Sequence, residues 1–217
     1  MLVRACYLPA QRGVTLLEVL LASLISSVLI LTMSQLIVSE VRVADRQSRT
    51  MQLHQQLRAS LTLMKRNLRM AGFNAATASA VFLRKSPVLT DVRHATHQVG
   101  YVSQQSLGGT EDFRHVVYQL TTNSAGEAVL RLCEKQHDHQ LTFEQAASSG
   151  ESGPCFSLFD SDWIHVDAFQ VDYQPLDGGT RSALNTGWIV IQLRLSLVQD
   201  PSIHATADIA FLQRHWS

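Results

Sequence analysis

The sequence is 217 residues long, with 46% hydrophobic and 17% charged residues and a formal net charge of zero. That length suits one ordinary globular domain plus an extra element, and charge neutrality argues against a general nucleic-acid binder. The neutrality hides an asymmetry: residues 40–69 hold seven bases against two acids, a net of +5, and residues 74–217 hold nine against fifteen, a net of −6. A basic stem and an acidic body fit two regions with different surroundings; charged faces solvated in the ordinary way fit as well.

The first predicted element lies in "RGVTLLEVLLASLISSVLIL" (12–31) and the residues after it. Val19–Ser39 are 21 consecutive uncharged residues with no proline or glycine, enough helix to cover roughly 30 Å, the thickness of a bilayer core. Arg4 and Arg12 precede the run with no acid beside them, so the positive-inside rule keeps the N-terminus cytoplasmic and exports the remainder. A cleaved secretory signal peptide fits poorly, because the apolar run is too long and no Ala-x-Ala-like site follows it. A plain signal anchor leaves two features unexplained: Glu18, an acid at the start of a bilayer segment where charge is costly, and the glycine at position 13.

Gly13, Val14, Thr15, Leu16, Leu17 and Glu18 stand in an order that resembles the class III signal of type IV pilins and type II secretion pseudopilins. That signal is a short basic leader, a glycine, a hydrophobic residue, Thr or Ser, two apolar residues and a glutamate. Val14 departs from the phenylalanine commonest in the family. The resemblance implies cleavage between Gly13 and Val14 by a separate prepilin peptidase, and N-methylation of Val14. Glycine, lacking a Cβ, lets a peptidase approach the scissile bond closely. After the cut, the new ammonium of one subunit meets the Glu18 carboxylate of its neighbour. Opposite charges attract strongly in low dielectric and are costly unpaired, so this pairing sets the register of subunits.

The helical pattern continues beyond the membrane. Leu53, Leu57, Leu61, Met64 and Leu68 occupy one helical face, with mostly polar residues between them. No proline occurs from Val14 to Gly72, and Gly72 is the expected stop. Unbroken, Val14–Ala71 makes a helix of 58 residues, roughly 87 Å. Its end, "RNLRMAGF" (66–73), resembles the corresponding stretch of PilW-type minor pilins and the J-type minor pseudopilin.

From Phe73 the periodicity changes. "NAATASA" (74–80) reads as a linker, and residues 81–110 as mixed, broken by Pro87, Gly100, Gly108 and Gly109. "FRHVVYQLTT" (113–122), the turn "NSAGE" (123–127) and "AVLRLCE" (128–134) read as a β-hairpin. "DWIHVDAFQVDYQP" (162–175) alternates with a slip of phase near Ala168, which a β-bulge explains by bringing Ile164 and Val166 to the face of Phe169, Val171 and Tyr173. "LDGGT" (176–180) reads as a turn; residues 187–198 and 205–215 read as further strands. Helix first and strands later indicate α+β. The pilin resemblance implies a long N-terminal helix packed on a C-terminal antiparallel β-sheet. The expected divisions are a leader at 1–13, a transmembrane helix at 14–39, a periplasmic stem at 40–73 and a β-rich head at 74–217.

Cys6 leaves with the leader. Cys133 and Cys155 remain, an even pair in an exported, oxidising compartment, and a disulfide between them is expected. The triplet His137-Asp138-His139, the pair His94 and His97, and Asp160 with Asp162 lack the spacing of zinc or EF-hand sites, and read as surface residues. Neither a nucleophile elbow nor H-E-x-x-H, a P-loop or a dinucleotide fingerprint occurs, so no enzymatic activity, metal or cofactor is expected. The implied function is that of a PilW-like minor pilin, incorporated into a type IV pilus or priming its assembly. Its partners would be prepilin peptidase, other minor and major pilins, an inner-membrane assembly platform and the inner membrane, with no direct nucleic-acid binding. A J-like pseudopilin of type II secretion, a monotopic exported binding protein and an exported hydrolase are the alternatives.

Overall fold

The computed structural model describes residues 13–77, 79–107, 110–149, 154–176 and 187–213. Most of the expected leader, including Cys6, and residues 177–180 of the expected turn lie outside them. The first element is one helix, α1 (Leu16–Leu68), two residues shorter at its start and three at its end than the sequence pattern predicts. The chain forms two compact units, Met1–Ser48 and Arg49–Ser217.

In the first unit every described residue is solvent-exposed. The N-terminal part of α1 is exposed, and the helix is long and apolar enough to cross a membrane. The hydroxyls scattered along it bond back to their own helix: Ser23 to Leu20 O, Ser27 to Ser23 O, Thr32 to Leu29 O, Ser34 to Ile30 O and Ser39 to Leu36 O, at 2.7–2.9 Å. These five hydroxyls are thereby satisfied without water, which eases their transfer into an apolar surrounding.

In the second unit the chain continues from α1 into eight strands. They are β1 (Thr90–Arg93), β2 (Gln98–Leu107), β3 (Thr110–Thr122), β4 (Ala128–His137), β5 (Cys155–Ser157), β6 (Ile164–Pro175), β7 (Gly187–Leu197) and β8 (His204–Gln213). A short helix, α2 (Phe143–Ala147), stands between β4 and β5. The strands build two antiparallel sheets, β1-β2-β3-β4-β5 and β6-β7-β8. The fold is therefore α+β, a long N-terminal helix packed against antiparallel sheets.

One apolar core joins three surfaces. Leu53, Leu57, Leu61, Met64 and Leu68 of α1 meet Val99, Tyr101, Val116, Tyr118 and Leu130 of the larger sheet, together with Phe169, Ile191, Leu193 and Phe211 of the smaller. Each fully buried apolar side chain of this size contributes about 1.5–3 kcal/mol, and an α1 face spaced by four and three residues delivers five. The bulge falls where the phase slip placed it: β6 shifts register between Val166 and Ala168, so Ile164, Val166, Phe169 and Val171 are all buried. The hairpin turn also forms, with Asn123 N–H donating to Glu127 O and Gly126 at φ +85°.

Residues 81–110, read as mixed, contain β1 and the ten-residue β2. Gly100, which looked like a breaker, lies inside β2 because the sheet needs its missing side chain: a Cβ there would stand 2.8 Å from the Phe143 ring and 2.9 Å from Val117 Cγ2. The linker is pinned as well. Gly72 N donates to Val102 O, Gln104 N to Phe73 O and Ala75 N to Gln104 O, so this segment completes the edge of β2 that β1, paired with residues 98–101 alone, does not reach.

Candidate functional site

The residues singled out for processing lie at the start of α1. Gly13 and Val14 are exposed and precede the helix. Thr15 acts as its cap: its carbonyl accepts from Glu18 N at 3.1 Å and Val19 N at 3.3 Å, and its Oγ1 accepts from Glu18 N at 3.4 Å. Thr15-x-x-Glu18 has the spacing of a capping box, a local signal that the sequence reading did not use. Glu18 thus lies in the first turn, where a carboxylate complements the helix dipole. It is exposed, with no charged residue between it and Glu40. The arrangement offers a short exposed, non-helical segment to a peptidase, directly followed by a helix whose first turn carries a single acid.

The "RNLRMAGF" segment has a clear physical reading. Asn67 Nδ2 donates to the buried Tyr118 Oη at 2.7 Å, Leu68 and Ala71 enter the core, and the Arg69 guanidinium lies 5.9 Å from the Phe211 ring centroid. Gly72, at φ +77°, turns the chain out of the helix into a left-handed conformation that favours glycine. The motif ends the helix and fastens it to β2, β3 and β8.

The Cys133–Cys155 disulfide is present, across the register pair of β4 and β5. It closes a loop that carries α2. Thr142 and Gln145 form a full capping box, Gln145 N donating to Thr142 Oγ1 and Thr142 N to Gln145 Oε1. The buried Lys135 ammonium donates to Gln145 O at 2.7 Å and to Ser148 O, satisfying carbonyls at the C-terminal end of α2; desolvation holds its pKa below the usual lysine value. Gln119 Nε2 donates to Ala147 O at 2.8 Å. From β1, the Arg93 guanidinium lies 3.8 Å from the Phe143 ring centroid and pairs with Glu144 at 2.9 Å. Sequence reasoning found the disulfide but neither α2 nor β5; the T-x-x-Q box was the available signal for α2.

The histidines fall in two places. His94 Nδ1 stands 3.4 Å from Asp172 Oδ1, beside a cavity of about 220 Å³ lined by Arg93, His97, Gln98 and Gln170 among others. His137, Asp138 and His139 form a group whose ligand atoms lie within 4.8 Å of one another. Asp160 Oδ1 accepts from Asp162 N at 3.0 Å, an ordinary turn contact.

A family model described as "Prepilin peptidase-dependent protein B" matches residues 46–211, well over half of the chain. The chain belongs to the prepilin peptidase-dependent protein B family. A second model, "Prokaryotic N-terminal methylation motif", matches residues 8–34, which include Gly13, Val14 and Glu18. No curated protein and no solved structure matches. A member of the prepilin peptidase-dependent protein B family is a type IV pilin-like protein of the minor-pilin kind, processed by prepilin peptidase; such proteins are generally not enzymes. The apolar N-terminal helix with its methylation motif is consistent with an inner-membrane anchored prepilin.

Proposed function

We propose that this protein is a PilW-like minor pilin, cut between Gly13 and Val14, methylated at Val14, and drawn from the inner membrane into a type IV pilus or the complex that primes one. Residues 14–39 cross the membrane, 40–73 form the periplasmic stem and 74–217 the head, with the N-terminus cytoplasmic before extraction. In the filament the apolar side chains of 19–38 pack helix against helix, and Glu18 neutralises the Val14 ammonium of an adjoining subunit. An unpaired charge in that apolar setting costs several kcal/mol, so a subunit out of register is disfavoured. The other minor pilins, the major pilin and the assembly platform are its partners.

One observation carries this reading: the exposed apolar helix begins just after Gly13-Val14 and the Thr15 cap, and bears one charge, Glu18, in its first turn. The test is expression with and without a prepilin peptidase, followed by isolation of membranes and sheared filaments. The expected result is a chain shortened by its first thirteen residues when the peptidase is present, co-purifying with other pilins. A chain of unchanged mass, or one recovered only with secretion-system pseudopilins, contradicts the proposal.

A further inference from the structure

We propose that His137, Asp138 and His139 form a binding site for a divalent transition-metal cation, with zinc as the representative ion. His137 ends β4, so strand pairing with Phe113 fixes its backbone. The chain then bends at Asp138 and His139, and this bend sets His139 beside His137, with ring centroids 4.0 Å apart at 70°. The intervening Asp138 folds its carboxylate back between them, with Oδ1 2.5 Å from His137 Nδ1 and 2.7 Å from His139 Nδ1. His137 Nδ1 is buried, with the Asp138 carboxylate oxygen as its close polar neighbour. Two imidazole nitrogens therefore converge on one carboxylate oxygen.

Two imidazoles and a carboxylate form the donor set of a borderline cation such as zinc, not of calcium or magnesium, which take oxygen ligands. A zinc ion sits about 2.0–2.2 Å from such ligands, which requires their donor atoms to stand somewhat further apart than they do. Asp138 has the freedom to supply this, because its side chain is 83% exposed. The same exposure leaves the remaining coordination positions open to water. Residues 74–217 carry a net negative charge, and the two nearby cations are engaged elsewhere, Lys135 with the carbonyls of Gln145 and Ser148 and Arg114 with Glu134. The disulfide, four residues before His137 in β4, ties the far end of the same loop to that strand, which limits the ordering cost of binding.

The experiment uses the untagged full chain in detergent, stripped of metal with a chelator and titrated with zinc chloride by calorimetry, with cobalt chloride as an absorbance probe. The expected result is saturable binding of one equivalent of zinc and a cobalt d–d band. His139→Ala and Asp138→Asn, at exposed positions outside the core, keep the wild-type thermal midpoint and weaken binding by at least about tenfold, since losing a mere outer-shell partner costs that much. His204→Ala, on β8, leaves binding unchanged. No saturable binding, or unaltered affinity in both His139→Ala and Asp138→Asn, overturns the proposal.

Discussion

Asn67 in the last turn of α1 donates its amide hydrogen to the hydroxyl of Tyr118 in the middle of β3, at 2.7 Å, with both residues buried. This polar contact inside an apolar interface sets how far along the sheet the helix docks. Replacing Asn67 by Ala strands the Tyr118 hydroxyl without a partner, a cost of about 1–3 kcal/mol. Urea unfolding of the purified chain should show that loss. Tyr118→Phe in the Asn67→Ala background should restore part of it, because no buried hydroxyl then lacks a partner.

The same tyrosine makes stability sensitive to alkali. Burial pushes the Tyr118 pKa from 10.0 up to about 12, against a smaller opposing pull from the Asn67 hydrogen bond. Tyr101 is raised too, chiefly by burial and against the nearby Arg114. The folded state thus keeps its proton where the unfolded chain has released it, so the stability tied to these groups is fully present below pH 10. It falls as pH rises from 10 through 12. Absorbance of phenolate followed through an alkaline titration should show these two tyrosines ionising together with unfolding. Smooth titration of all tyrosines near pH 10 in folded protein would contradict this.

Gly72 and Gly126 separate backbone strain from crowding. Both have positive φ, +77° and +85°. A Cβ on Gly126 meets nothing within 4 Å, whereas one on Gly72 runs into the Leu89 side chain. Gly126→Ala should cost on the order of 1 kcal/mol for the conformation alone. Gly72→Ala adds overpacking of the core, typically a further 1–3 kcal/mol. Thermal midpoints of the two variants test this ordering; equal losses would remove the Leu89 contact from the explanation.

Reducing the Cys133–Cys155 bridge frees a loop with a sequence separation of 22. Loop-closure entropy then predicts a loss of about 3 kcal/mol, or roughly 6–12 °C in thermal midpoint for a unit of this size. Calorimetry with and without reductant, or of the Cys133→Ala/Cys155→Ala variant, measures it. Amide exchange should rise first in α2, which then keeps only the packing of Phe143 and Ala146, its hydrogen bonds and the Arg93 contacts with Phe143 and Glu144.

Elements with strong periodicity were legible in the sequence. The α1 stripe from Leu53 to Leu68 and the phase slip in β6 both followed from apolar spacing, since burial on one face writes that spacing directly. β1 and β2 were not legible, because Gly100 and the polar run Ser103–Ser106 mimic a loop while answering to Phe143 and to the segment after Gly72. Division of the strands into two sheets was equally hidden, as it depends on partners far apart in the chain. At the N-terminus the order Gly13 to Glu18 pointed to processing, yet the Thr15 cap passed unnoticed. The triplet at 137–139 looked like chance because its convergence arises from the fold-back of Asp138, which spacing does not encode.

The central claim is that a cut before Val14 creates a positive chain end for a neighbour's Glu18. Mass spectrometry of the N-terminal peptide from protein recovered in filaments tests it most directly, for the wild type and for Glu18→Ala. The account predicts a wild-type chain beginning at N-methylated Val14, and a Glu18→Ala chain that reaches the membrane but is depleted from filaments. A filament-borne chain that still begins at Met1, or a Glu18→Ala chain incorporated as well as wild type, would contradict it.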